Sequence, residues 1–308
     1  MFKKTFSLFA LAALTCLPAF SVQWMTDYEA AKAQAKAEKK LILMDFTGSD
    51  WCSSCIAMRK DVLDTPQFEE YAKDKFVCLE VDMPHHGRQP EKLREQNAKL
   101  CEAMEIRVYP TIAVTAPDGQ VVGGFLGGIE EVSKAELLLN RAVKAGKSYR
   151  KAAKQKGEDR AKSLFKVWTN IPAEMRGNSQ AMKEEIIRLD TKHTTGMDDE
   201  LKAEEQLKAF NEDLRPVTGA EDFLAITLRY APIAMPQNKV EIYRWMTTML
   251  HQTAQTEEDI AKVAPYALEL AELDISITDK QKKALIDDYS NPKKYLKRIL
   301  KEREEMKE

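Results

Sequence analysis

At 308 residues the chain exceeds one ordinary small domain, and two domains are the natural expectation. Its apolar content of 44% is that of a globular protein, so a sizeable core is available. A net charge of -2, with mixed charges concentrated after about residue 140, argues against nucleic acid as the main partner and fits solvated helix faces.

The first 21 residues read as an export signal. Lys3 and Lys4 precede an apolar run from Phe6 to Phe20, and the small residues Ala19 and Ser21 close it. Cleavage is expected after Ser21; an uncleaved anchor is the alternative, although the run is short for a membrane span. Loss of Cys16 with the signal leaves four of the five cysteines in an exported compartment, periplasmic or otherwise, which permits disulfides.

Asp27 then caps an Ala/Lys/Glu-rich helix over Glu29 to Lys40. Leu41 to Phe46 is a short, largely apolar run containing Asp45, and it reads as a buried strand. Thr47-Gly48-Ser49-Asp50 breaks the strand, and Trp51-Cys52-Ser53-Ser54-Cys55 opens a helix expected to reach Leu63. A thiolate at a helix start faces unpaired N–H groups and the positive end of the macrodipole, which lowers its pKa. Cys52 would then attack a substrate disulfide, and Cys55, three residues on, would resolve the mixed disulfide. A C-x-x-C taken alone also admits a permanent disulfide or half of a zinc site.

Asp64-Thr65-Pro66 stops that helix and starts a short one to about Lys73. Phe76 to Asp82 is a second strand, residues 83 to 90 a loop carrying His85 and His86, and Glu91 to Glu105 a helix. The histidines read as exposed polar loop, since adjacent imidazoles do not easily meet at one ion. Ile106 to Ala116 is a third strand region with Pro110 at its entry, and Pro117-Asp118-Gly119 turns it into a fourth strand, Gln120 to Leu126. Gly127-Gly128 ends that strand, and Glu130 to Ala145 is helical. Cys78 and Cys101 read as free, core-type cysteines.

Residues 22–147 resemble thioredoxin. The resemblance rests on the strand Leu41–Phe46, Trp51-Cys-Ser-Ser-Cys55, the strand ending in Val81-Asp82, Tyr109-Pro110-Thr111 and Asp118-Gly119. The nearest pattern, Asp-Phe-Thr-Gly-Ser-Asp-Trp-Cys, is similar to that of periplasmic thiol:disulfide interchange domains. The resemblance implies a mixed central sheet flanked by helices, a redox-active Cys52/Cys55 pair and a cis Pro110. It also implies a substrate groove bordered by Trp51, Tyr109 and Pro110, and a proton-relay role for Asp45 beneath Cys55. It implies no cofactor and no metal. Three departures stand out: the Ser53-Ser54 dipeptide, a loop one residue longer before Trp51, and Cys78 where many thioredoxins place a lysine near the buried aspartate. The last of these puts the relay role of Asp45 in question.

Beyond Lys147 strands disappear. Residues 148 to 158 form a basic stretch, either a linker or an exposed helix start. Helical patterns then recur over Glu158–Asn170, Gln180–Lys192, Glu200–Leu214, Ala220–Tyr230, Val240–Thr253, Glu257–Leu273 and Thr278–Ser290, with a last charged helix to Glu308. Such helices with short connections read as antiparallel pairs, in the manner of tetratricopeptide-like stacks, so residues 148–308 are expected to form an all-helical domain. The expected function is exported thiol–disulfide oxidoreductase, with thiol- or disulfide-bearing exported proteins and a redox partner as its contacts. The rivals are a non-catalytic thioredoxin-fold scaffold and a C-x-x-C metallochaperone for copper or zinc. An intact Cys52/Cys55 pair disfavours the scaffold, and metal content after reducing purification discriminates the metallochaperone.

Overall fold

The computed structural model describes residues 23–86 and 89–306, so the expected export signal lies outside the described residues. Among those residues, no helix is long and apolar enough to cross a membrane. The chain divides into two compact units, one ending at Thr195 and one running from Gly196 to Glu308.

The first unit begins with α1 (Tyr28–Glu38), whose N-cap Asp27 accepts a hydrogen bond from the Ala30 amide at 2.9 Å. Strand β1 (Leu41–Thr47) follows and is buried along its whole length. Helix α2 (Ser53–Met58) continues into a π-helical turn, Arg59–Leu63. Thr65 caps α3 (Pro66–Ala72), with Pro66 at the first position, where a missing N–H costs nothing. Then come β2 (Phe76–Asp82), α4 (Glu91–Ala103), β3 (Thr111–Thr115) and β4 (Val121–Leu126).

The sheet order is β2-β1-β3-β4. β1 runs parallel to β2 and antiparallel to β3, and β3 pairs antiparallel with β4. This is the mixed, helix-flanked sheet that the resemblance implied. Side chains alternate across a strand, so Leu41, Leu43, Asp45 and Thr47 share one face of β1. Leu41 on that face packs on Gly146, where an added Cβ would lie 2.8 Å from a Leu41 methyl.

Helices α5 (Val132–Ala152), α6 (Gly157–Trp168) and α7 (Gln180–Leu189) complete the unit. The boundary expected at 147 falls inside α5, and residues 148–152 of the stretch read as a linker or an exposed helix start are the end of that helix. Two long-range bonds tie the later helices to β4. Asn170 Nδ2 donates to the Val122 carbonyl at 2.8 Å, and Gln120 Nε2 donates to Ser179 Oγ at 3.0 Å. β4 is an edge strand, and a covered edge is protected from pairing with other chains.

The second unit contains α8 (Met197–Leu214), α9 (Ala220–Tyr230), α10 (Lys239–Thr253), α11 (Glu257–Leu273), α12 (Asp279–Tyr289) and α13 (Pro292–Glu305). Its core gathers Phe210, Ile242, Tyr243, Met246, Ile260, Val263, Tyr289 and Ile299. Capping boxes start α11 at Thr256 and α12 at Thr278, leaving few N-terminal amides unpaired. At the other end of α10, the Arg303 guanidinium donates to the carbonyls of His251 and Ala254, which satisfies a helix C-terminus with a cation.

Candidate redox site

β1 delivers the site. Its last residue, Thr47, leads into Gly48, whose carbonyl accepts from the amides of Trp51 and Cys52 at 3.3 and 2.9 Å. Only glycine fits there, because a Cβ at position 48 would sit 2.3 Å from Trp51 Cε2. The lengthened loop is fastened to the segment after β2. Asp82 accepts from the Ser49 amide and hydroxyl at 2.9 and 2.6 Å, and Asp50 accepts from the amides of His85 and His86 at 2.9 and 2.7 Å. The Trp51 indole donates to the Met83 carbonyl at 2.7 Å.

Cys52 is the N-cap of α2, and its sulfur accepts from the Cys55 amide at 3.2 Å. The two cysteines form a disulfide with 5.2 Å between Cα atoms. Cys52 is 6% exposed and Cys55 2%, so Cys52 is the more exposed residue of the pair. Tyr109–Pro110 is cis, as the resemblance implies. The Pro110 carbonyl accepts from the Gly127 amide at 2.8 Å, and Gly128 faces Ser54 of the C-x-x-C, where an added Cβ would lie 3.4 Å from the Ser54 Cβ. Trp51 meets Tyr109 edge to face at 5.4 Å. The structure thus gathers Trp51, Cys52, Cys55, Tyr109 and Pro110 around one end of the sheet.

Asp45 is buried and lies next to Arg59, with Nη1 3.4 Å from Oδ2. Its Oδ1 accepts no hydrogen bond from any described residue. Burial pushes the carboxyl up to about 7; the Arg59 charge works against this, and Glu80 and Asp82 reinforce it. Where many thioredoxins place a lysine, the cation here comes from the π turn that follows α2. The cation beside Asp45 is Arg59, while Cys78 is a buried free thiol pushed up to about 12 by its burial. Cys101 is also free, and burial raises its thiol against a lowering contact from Tyr109 Oη at 3.5 Å.

Two residues at the site were missed from the sequence. His85 is not merely exposed loop: its ring stacks on Trp51 at 4.5 Å and 8°. Among the described residues, no group of three or more His, Cys, Asp or Glu could hold a metal ion. The other is Arg59. Its spacing of four from Cys55 was the available signal, because residues four apart share a helix face.

A thioredoxin-like family model matches residues 23–117. The chain is 32% identical over 133 residues to thioredoxin-related protein DsbJ of Chlamydia pneumoniae, covering 40% of this chain and 38% of that protein. It is 32% identical over 127 residues to disulfide bond reductase DsbH of the same organism, covering 40% of this chain and 76% of that one. A solved structure titled DsbH oxidoreductase aligns at 28% identity over 44% of this chain and 94% of its own, with a TM-score of 0.37. The chain thus spans well under half of DsbJ and three quarters of DsbH. With the sheet order, the capped Cys52–Cys55 disulfide and the 32% identity to DsbH over 76% of its length in agreement, the chain belongs to the thioredoxin-like family.

Proposed function

We propose that the protein is an exported enzyme that reduces disulfides in exported protein substrates through Cys52 and Cys55. One observation carries the reading: a disulfide at the N-terminus of α2, its more exposed cysteine on the N-cap, at the same end of the sheet as the cis Tyr109–Pro110 bond. The similarity to DsbH, named a disulfide bond reductase, supports the reductive direction. The basic start and apolar run of the first 21 residues support export.

In the reduced enzyme the Cys52 thiolate attacks a substrate disulfide, and one substrate sulfur leaves as thiolate. Cys55 then attacks Cys52. The Cys52–Cys55 bond forms, the bond from Cys52 to the second substrate sulfur breaks, and that sulfur departs with the electron pair. The proton lost by Cys55 passes to Asp45. An external dithiol afterwards returns the pair to its reduced form and is itself oxidised. Trp51, Tyr109 and Pro110 border the groove in which the substrate segment lies. The helical second unit selects partners, since every redox group named here precedes Glu130.

Cys55→Ser is the test. Cys52 still attacks in this variant, but nothing resolves the product, so mixed disulfides with exported proteins should accumulate in the native host. Absence of adducts, by mass spectrometry under oxidising growth, would count against catalysis. The direction has its own measurement. Equilibration of the full protein with a glutathione or dithiothreitol buffer should give a Cys52/Cys55 potential no higher than about −220 mV, on the thioredoxin side of the known range. A value near about −120 mV would make the protein an oxidant instead.

A further inference from the structure

A cavity of about 360 Å³ opens beside the second cysteine, and Thr47, Cys55, Arg59, Lys60, Asp64 and Glu80 are on its wall. Arg59 sits one helical turn beyond Cys55, and its amide donates to the Cys55 carbonyl. Its guanidinium reaches three carboxylates on three segments. Nη1 lies 3.4 Å from Asp45 of β1 and 3.2 Å from Glu80 of β2, and Nε lies 2.8 Å from Asp64 at the end of the π turn. The π turn helps close the last contact, because the Asp64 amide bonds back five residues to the Arg59 carbonyl. The indole of Trp24 lies under the guanidinium at 4.4 Å.

We propose that Arg59 is the positioning residue for proton transfer at Cys55: held over the buried Asp45 by Glu80 and Asp64, it sets the pH at which Asp45 takes the proton of the resolving thiol. This rests on the oxidoreductase reading above and adds to it a residue that acts through Asp45. An ordinary surface ion network would leave all partners wet. Here the Asp45 side chain is 2% exposed and the Arg59 side chain 25%, so the pair straddles the boundary between core and cavity. A planar, permanently charged fork can serve carboxylates in several directions at once, which a lysine ammonium does less well.

The groups facing Asp45 fix the sign. β2 brings Glu80, Asp82 and Cys78, and the α2 segment brings Arg59. β3 pairs with β1 through Thr111, Ile112 and Ala113, which do not titrate, and α1 turns Ala31 and Ala35 inward. Arg59 is thus the cation that favours the ionised carboxylate, against burial and two acidic neighbours. Asp45 accepts a proton only when ionised. Removing Arg59 therefore moves the working range of the resolving step to higher pH, and removing Glu80 moves it lower.

The test uses the full-length reduced protein and a symmetrical aryl disulfide whose released thiol is coloured. The first burst of colour reports attack by Cys52, and the second reports resolution by Cys55. In Arg59→Met the midpoint of the second phase, followed from pH 5 to 9, should rise by about one to two pH units, with the first phase unchanged. Arg59→Lys should recover at least half of that shift. Glu80→Gln should lower the midpoint, and this opposite sign keeps the proposal testable if Arg59→Met does not fold. Unmoved midpoints in the folded variants, or a second phase slowed equally at every pH, would overturn it. If wild-type protein shows no first phase, the oxidoreductase reading itself falls.

Discussion

Asp45→Asn should stabilise the first unit by about 4 kcal/mol at pH 8 and by roughly 1 kcal/mol at pH 4.5. The carboxyl is pushed from its ordinary value of 3.8 to about 7, mainly by burial. An acid whose folded pKa is raised favours folding relative to its ionised form only while it stays protonated. Stability is therefore complete below about pH 4 and is lost as the pH rises to about 7, at about 1.4 kcal/mol per pH unit. Above pH 7 the loss is constant. Asparagine keeps the shape and removes the titration, so the difference between variant and wild type should widen by about 3 kcal/mol from pH 4.5 to 8. Arg59 retains Glu80 and Asp64 in the variant and is not left stranded. Hydrogen exchange of the β1 amides reads the opening of this unit without interference from the second one. A difference that stays flat with pH would mean that Asp45 is ionised throughout, and the base proposed for Cys55 would then lack its tuning.

A buried acid that costs stability is informative about function. A leucine at position 45 would fill the same face of β1 as Leu41 and Leu43 at no electrostatic cost. The aspartate instead pairs with Arg59, which shares the wall of one cavity with Cys55. Perturbed carboxyls of this kind concentrate where protons move.

The parts of this arrangement were unequally legible in the sequence. β2, α9 and α11 have the bounds that the apolar pattern indicated, because breakers or caps flank each of them. The Cys52 N-cap was legible from the strand-loop-helix pattern. β3 is shorter than expected, since residues 106 to 110 form the irregular approach to the cis bond rather than ladder. The end of α5 was hidden by its composition. Residues 148 to 152 look like a solvated basic tail, yet Ala152 is fully buried and Tyr149 Oη donates to Asp118 at 3.0 Å. Both facts depend on chain far away in sequence. Arg59 was hidden for a similar reason: two of its partners lie on strands, and the third is in reach through a π turn that spacing rules do not anticipate.

Ending the chain after Gly146 should leave a protein that precipitates or melts at least about 10 °C below one ending after Thr195. The cut at 146 falls inside α5 and removes α6 and α7. With them go Leu164, Val167, Trp168, Ile171, Met182 and Ile186, all buried. Each such side chain is worth about 1.5–3 kcal/mol when fully buried, so losing the six together is comparable to a typical folding margin of about 5–15 kcal/mol. The cut also strips the edge of β4, because Asn170 no longer bonds the Val122 carbonyl and Ser179 no longer receives Gln120. An open edge invites pairing with another chain. At 195 one compact unit ends and the next begins. A chain ending there should reduce a small aryl disulfide within about twofold of the full protein, since both cysteines of the proposed redox pair lie on the first unit. In the Cys55→Ser background the same chain should lose most of its trapped native partners, because a second contact surface raises the local concentration of a chosen substrate at Cys52. Thermal melts and trapping from the native host read both halves of this expectation. A stable protein ending at 146 would return the boundary to the thioredoxin segment, and an unchanged set of trapped partners for the chain ending at 195 would remove the second unit from substrate choice.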